Sequence, residues 1–102
     1  MWARLTRIPG LPPERIDEVV EMFEQQELPM IEQHEGFKGI TVMVDPALGT
    51  AAALSLWETQ QHMRDSEKQA QAAREQVIKE AGDQPGPRRD MIVERLEVKL
   101  QR

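Results

Sequence analysis

The chain of 102 residues has the length of one domain, and its 39% hydrophobic and 30% charged residues are typical of a globular protein. It contains no cysteine, which excludes disulfides, thiolate nucleophiles and cysteine-ligated metal sites. The net charge is −5, and the acidic excess lies in residues 1–50, where 9 acidic residues outnumber 4 basic ones. Because nucleic-acid binding needs a basic surface, we expect no nucleic-acid partner.

The hydrophobic stretches are short. The longest, residues 51–57, is far below the ~20 residues that a membrane-spanning helix needs. Near the N-terminus, Arg4 and Arg7 interrupt the segment where a signal peptide has its continuous apolar run. We therefore predict a single domain over residues 1–102 that is cytoplasmic and does not associate with a membrane.

The first predicted elements are a strand and an amphipathic helix. Residues 2–8 form a short β-tolerant run that stops at the turn signal Pro9-Gly10. Pro12-Pro13 suits the first turn of a helix, where a missing N–H costs nothing. The apolar residues recur with helical spacing; they are Ile16, Val19, Val20, Phe23 and Ile31. Pro29 predicts the end of this helix or a kink in it.

Two strands, a second helix and a final strand complete the pattern. Residues 40–44 and 51–57 are β-rich and predict a hairpin, and Thr59 suits the N-cap of a helix over residues 60–81. The residues that recur with helical spacing in this segment are mostly small, which favours close packing on a sheet. They are Met63, Ser66, Ala70, Ala73, Val77 and Ala81. Gly82 ends this helix, and residues 83–87 predict a turn-rich loop. Arg88-Arg89 is predicted to be solvated, and residues 91–100 alternate as the last strand.

This order predicts an α+β, ferredoxin-like βαββαβ fold: an antiparallel four-stranded sheet with two helices on one face. The strands carry apolar side chains of both parities, so the second face of the sheet is also apolar. In strand two, for example, Met43 alternates with Val42 and Val44. A soluble monomer rarely exposes so large an apolar surface, so we expect a homodimer that covers it.

Three segments resemble a known family. They are Pro29 with the following Met-Ile, the run Gly36-Phe37-Lys38-Gly39-Ile40, and residues 54–59 with the sequence Leu-Ser-Leu-Trp-Glu-Thr. The chain resembles the dimeric α/β-barrel superfamily, in particular its antibiotic-biosynthesis-monooxygenase-like group. The resemblance implies a homodimer and a pocket in which an oxygenase without cofactor deprotonates a reducing aromatic substrate for reaction with oxygen. The superfamily also contains isomerases, haem-degrading enzymes and proteins of no known activity, so the likeness specifies fold better than function.

The principal candidate site is Trp57, Glu58 and His62, at the junction of strand three and helix two. In the first helical turn the dipole disfavours a protonated imidazole, so His62 can accept a proton as the catalytic base. Trp57 then forms a wall of the substrate pocket, and Glu58 contributes to substrate binding. Alternatively, Trp57 is a core or interface aromatic and His62 a solvated helix residue. The absence of tyrosine counts against an enzyme that uses a phenol donor.

Arg4 and His34 are further candidates for substrate binding. Alternation places Arg4 on the same face as Trp2 and Thr6, where a guanidinium can bind a carboxylate or enolate, or pair with a glutamate at the rim. His34 and Glu35 form a second polar pair. Because a metal site needs three or four converging ligands, these two residues do not predict one.

Haem is not expected, and no other cofactor is predicted. The resemblance implies that haem-degrading relatives carry a tryptophan and a histidine in helix two and an asparagine in strand one. The two helix positions fall near Ser66 and Gln76, and the chain contains no asparagine. Three functions stay open: a cofactor-independent monooxygenase-like protein that binds a small aromatic or polyketide-like ligand, a non-catalytic dimeric binding or structural domain, and an isomerase or lyase that uses His62.

Overall fold

The computed structural model describes residues 1–82 and 90–102, which contain four strands in one sheet. The strands are β1 Trp2–Ile8, β2 Phe37–Asp45, β3 Thr50–Trp57 and β4 Ile92–Glu97. Their order is β2-β3-β1-β4, and every neighbouring pair is antiparallel. This confirms the predicted α+β, ferredoxin-like βαββαβ fold. The predicted loop at 83–87 and the pair Arg88-Arg89 lie outside the described residues.

The first helical region is longer than Pro29 predicts. A 3₁₀ turn, Pro13–Arg15, leads into helix α1, Ile16–Met22, and a π-helical turn, Phe23–Glu27, joins it to helix α2, Leu28–Glu32. The helical region therefore continues past Pro29, so that, of the two outcomes predicted for this residue, an end or a kink, the structure contradicts the end. Pro29 lies in the first turn of α2, where its missing N–H is not required. The wide turn before it is closed by Leu28, whose N–H donates to the Phe23 carbonyl.

The second helical region is interrupted, whereas the sequence predicts one helix over residues 60–81. Helix α3, Gln60–Asp65, is separated from helix α4, Glu67–Glu80, at Ser66. The Ser66 hydroxyl donates to the Met63 carbonyl at 2.7 Å, and the Ser66 N–H donates to the same oxygen at 3.2 Å. Serine side chains compete in this way with regular helical bonding, which accounts for the break. No helix of the described residues has the length and hydropathy that crossing a membrane requires.

The two faces of the sheet differ in what covers them. Arg4, Thr6 and Ile8 of β1 point toward the helices, together with the residues that pair with them on β3. Residues of the opposite parity form the other face, which we call the open face. Large apolar side chains on it that are nearly half exposed are Met43, Ile92 and Leu96. The open face therefore lacks a covering layer in the single chain, as the sequence predicts.

The hydrophobic core is divided into two clusters. The first cluster consists of Ile8, Leu11, Ile16, Val19, Met22, Val77, Ile78 and Ala81. The second cluster consists of Ile31, Trp57, Met63 and Ala73. All the small residues predicted to face the sheet from residues 60–81 are buried, so that prediction is confirmed. A cavity lies where these two clusters meet.

Candidate functional site

A cavity of about 90 Å³ lies between the sheet and the helices, where the two core clusters meet. The small side chains that line it on both sides are Ala51, Ala53 and Ser55 of β3 and Ala70 and Ala73 of α4. Because both walls are short there, the space between them is left unfilled. Val42, which is 36% exposed, also lines the cavity, so the cavity reaches the surface beside β2. The small residues thus create a cavity as well as permitting close packing.

Arg4 lies at one end of this cavity, on a central strand, and only 4% of it is exposed. Its Nη2 donates to the Met63 carbonyl and to the Ser66 hydroxyl, each at 2.7 Å. Its Nε donates to Glu67 Oε1 at 3.2 Å. The helix break at Ser66 therefore supplies acceptors for a guanidinium that is otherwise removed from water. Burial lowers the pKa of Arg4, and the charge and hydrogen bond of Glu67 partly offset this effect.

Two further arginines surround Glu67. Arg95 of β4 lies opposite Arg4 in the sheet register and donates to both Glu67 oxygens. Arg74 lies two turns after Glu67 on the same face of α4, and it lines the cavity. We call Arg4, Arg74, Arg95 and Glu67 the arginine cluster. Burial raises the pKa of Glu67, but hydrogen bonds and charges from Arg95 and Arg4 outweigh burial, and the net shift is downward.

Trp57 is completely buried beneath the arginine cluster. Its indole N–H donates to the Ser55 hydroxyl at 2.9 Å. Its ring centroid lies 5.5 Å from the Arg4 guanidinium carbon and 5.5 Å from the Phe37 ring, which meets it edge-on. These contacts fix the indole as a support for Arg4. Trp57 is absent from the cavity wall, so the structure places it behind Arg4 and not against a ligand in this cavity.

His62 lies in the first turn of α3, where Thr59 caps the helix by accepting from the His62 N–H at 3.1 Å. The imidazole packs on Gly36, where a Cβ would lie 2.3 Å from the ring, and Gly36 has a φ of +83° that side chains disfavour. The Nε2 atom is 3.9 Å from Glu35 Oε1, and the buried Nδ1 has no hydrogen-bond partner among the described residues. We call residues 34–37 together with His62 the histidine turn. His62 is not part of the cavity wall.

Glu58 and His34 lie at the surface. Glu58 Oε2 is 4.0 Å from Lys38 Nζ, and Glu35 is the acidic residue that faces His62. His34 borders a shallow depression together with Asp65 and Lys68. Of the sequence candidates, the structure brings Arg4 and Trp57 together and separates His62, His34 and Glu58 from the cavity. Their roles in binding or catalysis stay predictions.

Sequence reasoning missed three members of the arginine cluster. Glu67 and Arg74 are seven residues apart, the spacing of one helical face, and this signal was available in the chain. Arg95 gave no comparable signal, because its position opposite Arg4 depends on the register of β1 with β4.

The residues of the cavity do not fit a haem. A haem macrocycle is far larger than a cavity of about 90 Å³, and neither histidine lines it. Ser66, one of the positions implied by the haem-degrading relatives, is buried and bonded to Arg4 and Met63. Within residues 1–82 and 90–102, no group of three or more histidine, aspartate or glutamate side chains converges as metal ligands.

Solved structures share this architecture over almost the whole chain, whereas no protein-family model and no curated protein sequence matches it significantly. A monooxygenase from Streptomyces coelicolor, in complex with nanaomycin D, is 15% identical, with 98% of this chain and 88% of that chain covered and a TM-score of 0.70. A cofactor-independent oxygenase from Streptomyces nogalater is 11% identical, with coverages of 98% and 94% and a TM-score of 0.63. A haem degrader from Mycobacterium tuberculosis, with two haems bound in its active site, is 15% identical, with coverages of 97% and 97% and a TM-score of 0.62.

At these identities the likeness establishes fold and leaves function open. The chain has the ferredoxin-like fold of the antibiotic-biosynthesis-monooxygenase-like structures.

Proposed function

We propose that this protein binds a small aromatic molecule in the cavity between sheet and helices and acts on it as a cofactor-independent monooxygenase. The observation that carries the proposal is the cavity itself, which has largely apolar walls and a buried guanidinium, that of Arg4, at one end. Ligand sites typically combine apolar walls with a few fixed polar groups in this way. The oxygenases of the same fold add support as analogy.

The size of the cavity limits the ligand. An engineered cavity of about 150 Å³ admits benzene, so the present 90 Å³ holds no more than one ring, part of which lies at the opening beside Val42 unless the walls move apart. A larger aromatic molecule would place one ring inside and extend past Val42 into solvent. A cavity of this size costs about 2 kcal/mol relative to a filled core, part of which a ligand can recover.

We propose that the cavity stabilises a substrate anion. A cofactor-independent oxygenase must convert its substrate to a carbanion or enolate before oxygen reacts with it. A guanidinium held in a dry site stabilises such an anion more strongly than it does in water. Arg4 is held in that way by three hydrogen bonds. His62 is the predicted general base, although its ring lies outside the cavity wall.

Oxygen uptake with anthrone tests this function. Anthrone and one O₂ give anthraquinone and one water, so the product carries one atom from ¹⁸O₂ if the protein is a monooxygenase. We expect Ala53→Leu, which fills the cavity, to abolish uptake, while Ala72→Leu on the exposed side of α4 leaves it unchanged. Uptake that persists in Ala53→Leu would contradict the cavity as the site.

A non-catalytic binding domain is the second candidate. It is favoured by one observation: none of the described residues lining the cavity is a carboxylate or an imidazole that accepts a proton. In this case anthrone or a related aromatic raises the melting temperature of the protein but consumes no oxygen beyond the uncatalysed rate.

A third candidate is proton transfer by His62 in an isomerase or lyase, which the buried and unpaired Nδ1 of that residue favours. If His62 is the base in this reaction or in the oxygenase, His62→Ala lowers turnover by about 10²- to 10⁴-fold. Unchanged turnover in that variant would remove His62 from the mechanism.

We also propose that a second copy of the chain covers the open face. Met43, Ile92 and Leu96 are each 45% to 47% exposed there, on a sheet whose other face is packed against helices. Matching copies of such a face bury well over ~1,000 Å² in stable dimers. Sedimentation at micromolar concentration should give a dimer and Leu96→Glu a monomer. A wild-type monomer would contradict this assembly.

A further inference from the structure

The arginine cluster carries an excess of positive charge. Three guanidinium groups, those of Arg4, Arg74 and Arg95, surround one carboxylate, that of Glu67, which leaves two positive charges unbalanced within the cluster. The surplus is unexpected, because the chain as a whole has a net charge of −5. Arg4 and Arg74 line a cavity with largely apolar walls, where their charges are poorly screened by solvent, whereas Arg95 is exposed. A negatively charged group in the cavity would reduce this imbalance.

The existing hydrogen bonds identify the arginine of the cluster that has a buried donor without a partner. Arg4 donates to Met63, Ser66 and Glu67, and Arg95 donates to both oxygens of Glu67. In contrast, the Nη1 atom of Arg74 is buried and has no hydrogen-bond partner among residues 1–82 and 90–102. Buried donors of charged groups are rarely left unpaired, because they lose their hydration without compensation.

The electrostatic surroundings of Arg74 lead to the same conclusion. Burial lowers the pKa of its guanidinium, and the neighbouring positive charges of Arg4 and Arg95 act in the same direction. Only Glu67 and Glu75 oppose them, and Glu67 is already bonded to the other two arginines. The charged form of Arg74 is therefore destabilised in the ligand-free chain, and an anion beside it would restore the balance.

We propose, on the basis of the ligand-binding function given above, that the ligand is a small aromatic carboxylate whose oxygen accepts from Arg74 Nη1 while its ring fills the apolar part of the cavity. A planar carboxylate matches the geometry of a guanidinium edge. One ring corresponds to the limit set by the cavity volume of about 90 Å³. A single unpaired guanidinium nitrogen suits a monovalent anion better than a phosphate, which carries more charge and needs more donors.

Calorimetric titration with benzoate and with benzamide tests the proposal. The two molecules have nearly the same shape, and only benzoate is an anion. We expect benzamide to bind at least about tenfold more weakly, since a hydrogen bond to a charged group contributes that much affinity. Arg74→Met should remove the preference for benzoate, whereas Arg64→Met, at an exposed arginine of α3, should retain it. The comparison of the two ligands in the wild-type protein needs no variant, so it stands even if Arg74→Met fails to fold.

Each outcome is decisive. Equal binding of benzoate and benzamide, or a preference that survives Arg74→Met, would overturn the anion site and leave the cavity function intact. Failure of both ligands to bind would overturn the one-ring carboxylate, and the anthrone and Ala53→Leu measurements would then decide separately whether the cavity binds any ligand. A benzoate preference that disappears only in Arg74→Met supports the assignment.

Discussion

The arginine cluster and the histidine turn both adjoin Trp57, yet they differ in what holds them together. Arg4 lies 5.5 Å from the indole centroid and is fixed by hydrogen bonds to a helix break and to Glu67. The histidine turn reaches the same indole through Phe37, but His62 is fixed mainly by its close packing on Gly36. Charges and hydrogen bonds therefore hold the arginine cluster together, whereas close packing holds the histidine turn in place.

The difference bears on where a ligand binds. The arginine cluster borders a cavity, and Arg74, which lines that cavity, has a buried donor without a partner among the described residues. In the histidine turn the space next to the imidazole is already occupied by backbone. The sequence pointed to His62 as the chemical centre, whereas the geometry favours the arginines as the groups that contact a ligand.

The largest effect is expected from Arg4→Met. This change removes one partner of a buried charged network: the Ser66 hydroxyl loses the donor from which it accepts, and Glu67 loses one of its two hydrogen-bonded arginines. We expect the free energy of unfolding to fall by about 3 kcal/mol or more, measured by urea denaturation. The exposed Arg64→Met should change it by less than about 0.5 kcal/mol. A similar small change for Arg4→Met would show that the cluster is not a structural unit.

Gly36→Ala should be next in size. The added Cβ meets the His62 ring at 2.3 Å, and the φ of +83° is strained for alanine, so we expect a loss of about 2 to 3 kcal/mol. Gly82→Ala is the control for backbone strain alone, because its φ is +91° and no atom lies within 4 Å. The double change Gly36→Ala with His62→Gly removes every His62 side-chain atom that the new Cβ would meet, the ring and the Cβ alike, and should recover the steric part of the loss. Simple additivity of the two changes would contradict the packing described for the histidine turn.

Glu67→Gln should cost about 2 kcal/mol at neutral pH, because it weakens hydrogen bonds to two charged partners. The pKa of Glu67 is lowered in the folded protein, so its contribution to stability is present above the ordinary value of 4.5 and is lost as the pH falls through the folded value. The difference in unfolding free energy between wild type and Glu67→Gln should therefore shrink as the pH falls below 4.5. A difference that stays constant would mean that Arg4 and Arg95 do not stabilise the carboxylate. Glu32→Gln, at an exposed position of α2, provides the control.

The smallest effect is expected from haem. Neither His34 nor His62 lines the cavity, and Ser66 is bonded to Arg4. When one equivalent of haemin is added to the protein, its Soret band should therefore stay at the wavelength of haemin that has no protein ligand. A shifted band that disappears in His62→Ala or His34→Ala would contradict this and would make the histidine turn a ligand site.

Local signals predicted most of the fold. Alternation and turn residues defined β1 and the hairpin of β2 and β3, and the small residues between Met63 and Ala81 indicated the buried side of the second helical region. The break at Ser66 was not predictable from helix propensity. The break coincides with hydrogen bonds from Arg4 to the Met63 carbonyl and the Ser66 hydroxyl, and Arg4, which is 62 residues from Ser66 in the chain, reaches them only when the sheet has formed.

The candidate site was predicted less completely for the same reason. Arg4 was identified because strand alternation placed it on a defined face. Arg74 and Arg95 acquire significance only when α4 packs on the sheet and β4 pairs with β1 in register. A charge in a solvated helix and a charge beside a cavity look alike in the sequence, and only tertiary packing distinguishes them.

A ¹H–¹⁵N NMR titration with benzoate tests directly whether the ligand binds in the cavity beside the arginine cluster, through the map of backbone amide shifts. We expect the largest shifts around Arg4, Ala53 and Arg74, which line the cavity, and little change at the amides of Gly36 and His62. Shifts concentrated at Gly36 and His62, or no shifts at any residue, would contradict the placement of the ligand site in the cavity beside the arginine cluster.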